Sequence, residues 1–132
     1  MDGAQLDSLA AAELRHAVEQ FNQRQFFECH ETLEELWKHA APAERGFYQG
    51  ILQIGVGLLH ARRHNYRGAL LSLERGIRRL RPFPDGYRGV ALGQLIGAAE
   101  SIAHELVQLG PERITAFDEA SIPTITLDPD AS

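Results

Sequence analysis

Apolar residues return every third or fourth position along most of this chain, beginning with Leu6, Leu9, Leu14, Val18 and Phe21. That period belongs to an amphipathic helix, so the stripe predicts a first helix ending near residue 22, with Asp7 or Ser8 available to cap its start. Asn22-Gln23-Arg24-Gln25 is polar throughout and predicts a turn. Phe26, Phe27, His30, Leu33, Glu34 and Trp37 then mark a second helix. Pro42 suits the opening of a third, because the amide hydrogen that proline lacks has no helical partner in a first turn. The third helix is expected over about residues 43 to 62, carrying Phe47, Ile51, Ile54, Leu58 and Leu59. Asn65 is placed to cap a fourth helix bearing Ala69, Leu70, Leu73, Ile77 and Leu80, which Pro82 and Pro84 stop.

Gly46, Gly50, Gly55 and Gly57 fall inside helix three, where each glycine costs roughly 1 kcal/mol relative to alanine. Close approach of another helix is the expected compensation. Arg81-Pro82-Phe83-Pro84-Asp85-Gly86 is the clearest reversal, and a fifth helix is expected from about 87 to 109, ending at Gly110. Gly89, Gly93 and Gly97 would form one stripe on it, open to another backbone. Pro111-Glu112-Arg113 opens a short last helix to about Ala120. Residues 122 to 127 are apolar but interrupted by proline; they are expected to lie extended across the bundle, with Asp128 to Ser132 frayed. A faint repeat at an offset of 40 aligns Phe26, Cys29, Leu33, Glu34 and Trp37 with Tyr66, Ala69, Leu73, Glu74 and Ile77, as two second helices of hairpins would.

These elements describe an all-α fold: a single compact bundle of five to six helices over residues 1–132, with an extended C-terminal tail at 121–132, packed or frayed. A length of 132 residues and 44% apolar content are enough for one domain with a real core. Cys29 is the only cysteine, which rules out an internal disulfide. No apolar run approaches a membrane span, and the acidic start Met1-Asp2-Gly3 lacks the basic region of a leader, so a cytoplasmic protein with no membrane partner is expected.

The net charge of -5 hides an asymmetry. Residues 62 to 88 hold eight arginines against Glu74 and Asp85, a local balance of +6, while the remainder carries -11. Opposite charge on different segments steers anionic ligands or pairs subunits and helices. The acidic remainder argues against nucleic acid, whose binding is largely electrostatic.

The chemistry concentrates in His30-Glu31-Thr32-Leu33-Glu34-Glu35-Leu36-Trp37, where helical spacing sets His30 beside Glu34 with Trp37 on the same side. Helix three offers Gln49 and Gln53 four apart, and His60 two turns further. An antiparallel pairing of helices two and three would bring His30 to His60 or Val56, and Glu34 to Gln53. Three readings of this seam stay open. It is a buried structural network of polar groups; a small polar-ligand pocket with His30 and Glu34 able to move a proton; or a metal site of a hydrolase-like enzyme using His30, Glu34 and His60. The metal set is one histidine short of the stronger His-Glu-x-x-His pattern, and the network is favoured over metal and over catalysis. No nucleophile stands out, since Cys29 sits among Phe26, Phe27 and Leu33, and no cofactor is specified. His16, His39 and His64 read as surface groups, His104 with Glu100 and Gln108 as an exposed or networked series, and Arg45 as a group reaching an acidic side chain of helix two.

Phe21-Asn22, Phe26-Phe27-Glu28, His30-Glu31-x-x-Glu34-x-x-Trp37, Arg45, Gln49-Gly50-x-x-Gln53, His60 and Asn65-x-x-Gly68-Ala69 together resemble the domain of unknown function family numbered 309, over about residues 13 to 82. The resemblance implies a small all-α bundle from a bacterial, archaeal or plastid context, with no established activity. It groups His30, Glu34, Trp37, Gln49, Gln53 and His60 as one site or one folding network. The glycine-lined helices three and five point to a homodimer, the polar seam to a small polar or anionic ligand. Arg75, Arg78 and Arg79 point to an interaction face as a further reading.

Overall fold

The computed structural model describes residues 2–128. Helix α1 (Gly3–Asn22) starts a turn earlier than Asp7 or Ser8 would place it. Asp2 caps it: the Asp2 carboxylate accepts from the Gln5 amide at 2.8 Å, and the Gln5 side chain accepts in return from the Asp2 amide. Leu14, Ala17, Val18 and Phe21 form the buried stripe, whereas Leu6 and Leu9 remain 55% and 53% exposed. The first turns of α1 therefore extend the apolar pattern without reaching the core.

Helix α2 (Phe26–His39) buries Phe26, Cys29, Leu33 and Leu36 against α1, with the Phe21 and Phe26 rings edge to face at 5.2 Å. Helix α3 (Pro42–Arg62) opens on Pro42 as expected, and Asn65 caps α4 (Tyr66–Leu80) by accepting from the Gly68 amide at 3.0 Å. The α1–α2 and α3–α4 reversals are the same turn. Arg24 and His64 both take the left-handed conformation, with φ of 66° and 61°. Their amides donate to Phe21 O and Ala61 O; the next residues, Gln25 and Asn65, donate to Gln20 O and His60 O. The repeat at an offset of 40 is thus a repeat of hairpin geometry.

Helices α3 and α4 pack at the closest range. A Cβ at Gly76 would lie 2.8 Å from the Gly50 carbonyl oxygen, and one at Gly57 would meet Leu73 at 2.8 Å. Gly50 and Gly57 of α3 therefore serve close packing on α4 within the chain, while Gly55 faces the Phe21 and Phe26 rings and Gly46 faces Phe83. The fifth helix corrects the expectation twice. It runs from Leu92 to Leu109 (α5) rather than from 87, because Gly86, Arg88 and Gly89 all have positive φ and Val90 pairs with Leu127. Its glycine stripe accommodates no backbone: Gly89 lies outside it, Gly93 faces the Asp85 carboxylate, and Gly97 has nothing within 4 Å. Asp85 instead caps α5, accepting from the Gly93 amide at 3.1 Å.

The expected last helix is two short 3₁₀ turns, Pro111–Ala116 and Glu119–Ser121. The tail after them lies extended, as expected. Asn22 exchanges two hydrogen bonds with the Ile125 backbone, Arg24 donates to the Ile122 and Pro123 carbonyls, and the Asp128 amide donates to Gly89 O. Ile122 and Ile125 are buried in the same apolar cluster as α1–α5. Of the segment expected to fray, residues 129–132 lie outside the described part of the chain.

Candidate functional site

On α2, the buried stripe Phe26, Cys29, Leu33 and Leu36 leaves His30, Glu34 and Trp37 along its margin. On α3, Gly50, Ile54 and Gly57 turn toward α4, which leaves Gln49, Gln53, Val56 and His60 on the outward side. All six expected site residues are thus half-exposed, and no charged, amide or imidazole side chain among the described residues is buried. The closed network expected between helices two and three does not form.

The hydrogen bonds of these groups run elsewhere. His30 Nε2 lies 3.6 Å from Glu34, whose other oxygen is 3.8 Å from Lys38 Nζ, so the Glu34 carboxylate is shared within its own helix. Gln53 accepts from Arg79 Nε of α4 at 3.1 Å rather than meeting Glu34. His60 Nδ1 is 3.2 Å from the Asn65 amide group, part of the α3–α4 turn rather than of α2. Trp37 packs its ring against the core edge. The physical reason is that the apolar and glycine positions of α3 choose which side meets α4, and the polar stripe is left facing water.

The metal alternative fails on the same geometry. Among the described residues no three His, Cys, Asp or Glu side chains come together in a group able to hold a metal ion, so His30, Glu34 and His60 do not converge. Cys29 is an inert thiol: it is 1% exposed, donates to Ala17 O at 3.3 Å, and burial pushes its pKa up to about 12. Among the described residues Arg45 reaches no carboxylate; its Nε donates to the Ala40 carbonyl at the end of α2, at 3.2 Å. His104 is exposed, and Glu100, its expected neighbour, pairs with Arg81 at 2.8 Å.

A second feature had no counterpart in the pattern of the chain. Arg88, at φ 47° in the 3₁₀ turn Tyr87–Gly89, donates from Nε and Nη2 to the two carboxylate oxygens of Glu44 in the first turn of α3. Asp7 lies 3.5 Å from the same guanidinium, and the Tyr48 hydroxyl lies 3.4 Å from Glu44. The hydrogen bonds that Arg88 donates to Glu44 raise the Arg88 pKa above its ordinary value, and burial raises that of Tyr48. This ionic cluster floors a groove of about 400 Å³ between the first turns of α1 and the α2–α3 junction. The walls are mainly apolar, with Leu6, Leu9, Ala10, Leu36 and Ala40 prominent. The only local signal for Arg88 was its place between Gly86 and Gly89.

Residues 14–71 match the family model described as Domain of unknown function (DUF309). The chain is also 31% identical over 115 residues to the uncharacterized protein YpuF of Bacillus subtilis (strain 168). That alignment covers 85% of this chain and 63% of the relative, so the chain spans less than two thirds of the length of the curated relative it matches. Among the described residues no helix is long and apolar enough to cross a membrane. His30, Glu34, Trp37, Gln49, Gln53 and His60 all fall within the matched segment, whereas Arg79 and Arg88 fall beyond it.

Proposed function

With a DUF309 match at residues 14–71, we propose that this chain is a binding module, working in the cytoplasm as one helical domain, rather than an enzyme. Its recognition surface is the outward face of α2 and α3: His30, Glu34 and Trp37 beside Gln49, Gln53 and His60. The observation that carries this reading is that these polar side chains are open to solvent yet do not bond one another across the helix pair. Groups that neither fill the core nor close on each other across the helix pair keep their remaining polar capacity turned to solvent, where a ligand can meet it. The face mixes amide, imidazole and carboxylate groups beside a half-buried indole, which suits a small polar ligand offering both donors and acceptors. Catalysis has little to draw on, since the single thiol is buried and held protonated.

The test is a two-dimensional amide NMR titration of the ¹⁵N-labelled chain with individual amino acids, nucleosides, sugars and their phosphates. The expected result is a ligand whose shifts cluster on residues 30–37 and 49–60 and disappear in Gln53→Ala. Shifts confined to other helices, or none across the set, would overturn the reading.

A further inference from the structure

Two further surfaces lack a partner among the described residues, and their chemistry is opposite. The groove beneath the start of α1 exposes Leu6 and Leu9 and is rimmed by Asp7, Glu13 and Glu35. Arg88 on its floor is shared by Glu44 and Asp7, and Glu35 lies 3.5 Å from both Lys38 and His39, whereas Glu13 makes no ion pair among the described residues. The carboxylates still outnumber the arginine, so the rim is acidic. On another face, Arg67, Leu71 and Arg75 follow one another at four-residue intervals along the exposed side of α4, with Arg78 and the one acid Glu74 beside them. Leu71 is 48% exposed. Arg62, Arg79, Arg81 and Arg88 are each bonded to a side chain of another segment, whereas Arg67, Arg75 and Arg78 make no ion pair among the described residues.

We propose that the Arg67–Leu71–Arg75 stripe of one copy docks into the α1 groove of a second copy, giving head-to-tail self-association. Leu71 enters among Leu6, Leu9 and Leu36, and the flanking guanidiniums meet Asp7, Glu13 and Glu35. The lengths are similar: the eight residue steps of α4 from Arg67 to Arg75 span about 12 Å, and the six steps of α1 from Asp7 to Glu13 about 9 Å, at the helical rise. A cavity of about 400 Å³ holds more than one leucine, and the aliphatic stems of the arginines occupy the rest. This is recognition of an amphipathic helix by a groove, with charge fixing the partner. Because donor and acceptor surfaces differ, the contact is heterologous and propagates to a ring or a chain of copies. The proposal rests on surfaces other than the α2–α3 face and stands apart from the function proposed for it.

Sedimentation velocity of the whole chain tests it. The wild type is expected to sediment faster as concentration rises at low ionic strength and to return to monomer in about 1 M salt, where the Debye length falls to about 3 Å. Leu9→Arg blocks the groove and Leu71→Glu blocks the stripe; both positions are exposed, so melting curves by circular dichroism should match the wild type. Each variant alone should be monomeric. Mixed, they should form a discrete one-to-one dimer, because one intact groove and one intact stripe remain. A wild type that is monomeric at every concentration, a Leu71→Glu protein that still associates, or a mixture that stays monomeric would each refute the proposal.

Discussion

The Arg88 guanidinium grips both carboxylate oxygens of Glu44, joining the turn before α5 to the first turn of α3 across 44 positions of sequence. Both side chains are mostly shielded, at 21% and 15% exposure, so neither is well hydrated when the other is removed. Glu44→Ala should lower unfolding free energy by about 2–3 kcal/mol, near the range for stranding a partly buried charge. Arg88→Lys should also lose stability, since an ammonium keeps the charge but not the two parallel bonds. Urea titrations of the singles and the double variant give the coupling. A double variant as destabilised as the sum of the singles would mean that the two groups act independently.

Glu34→Ala should behave quite differently. Its partners His30 and Lys38 are one turn away on an exposed helix face, and such pairs contribute at most about 1 kcal/mol. A fall in melting temperature as large as that of Glu44→Ala would restore a structural role for the α2–α3 face.

The glycines of this chain divide by what surrounds them. Gly97→Ala puts a methyl into open space on α5 and should stabilise by about 0.5–1 kcal/mol, through helix propensity alone. Gly76→Ala carries the same propensity gain but drives its methyl to 2.8 Å from the Gly50 carbonyl and 3.0 Å from the Ile54 nitrogen. Both are backbone atoms, so the helices must separate, and a net loss of about 1–3 kcal/mol is expected. Equal effects in thermal melts would contradict the α3–α4 spacing.

Cys29 gives the chain an alkaline weakness. Its folded-state pKa of about 12 lies above the ordinary 9.0, so the folded protein holds the thiol proton more tightly than the unfolded chain does. The resulting stability is complete below about pH 8.5 and drains away as pH rises toward 12. Denaturation free energies of the wild type should fall between pH 8 and 10.5 more steeply than those of Cys29→Ala. Parallel pH profiles would assign the loss to other groups. Aromatic disulfide reagents should label the folded wild type only as fast as it unfolds.

The four long hairpin helices were legible because each buries a continuous stripe, and Pro42 and Asn65 mark their starts with local chemistry. Helix α5 was misplaced at its start because Arg88 and Gly89, both read as helical, have positive φ, and because Gly89 and Ala91 bond to Asp128 and Thr126 near the far end of the chain. The candidate site was legible as a set of residues but not as a geometry. Spacing shows that His30 adjoins Glu34, and it does not reveal that Gly50, Gly57 and Gly76 draw α4 close enough for Arg79 to take Gln53. No local pattern links Glu44 to Arg88, whose place between Gly86 and Gly89 marks a turn and not a partner; only the tertiary path of that turn brings them together.

The stitched tail makes the order of synthesis matter. Both hairpins and α5 leave the ribosome before the segment that packs on them, and Ile122 and Ile125 of that segment are buried in the core. Until that segment arrives, Asn22 and Arg24 at the first turn lack the backbone groups they hold in the finished protein. A chain made only as far as α5 therefore carries an uncovered apolar strip beside its first turn, which the segment around Ile122 and Ile125 closes.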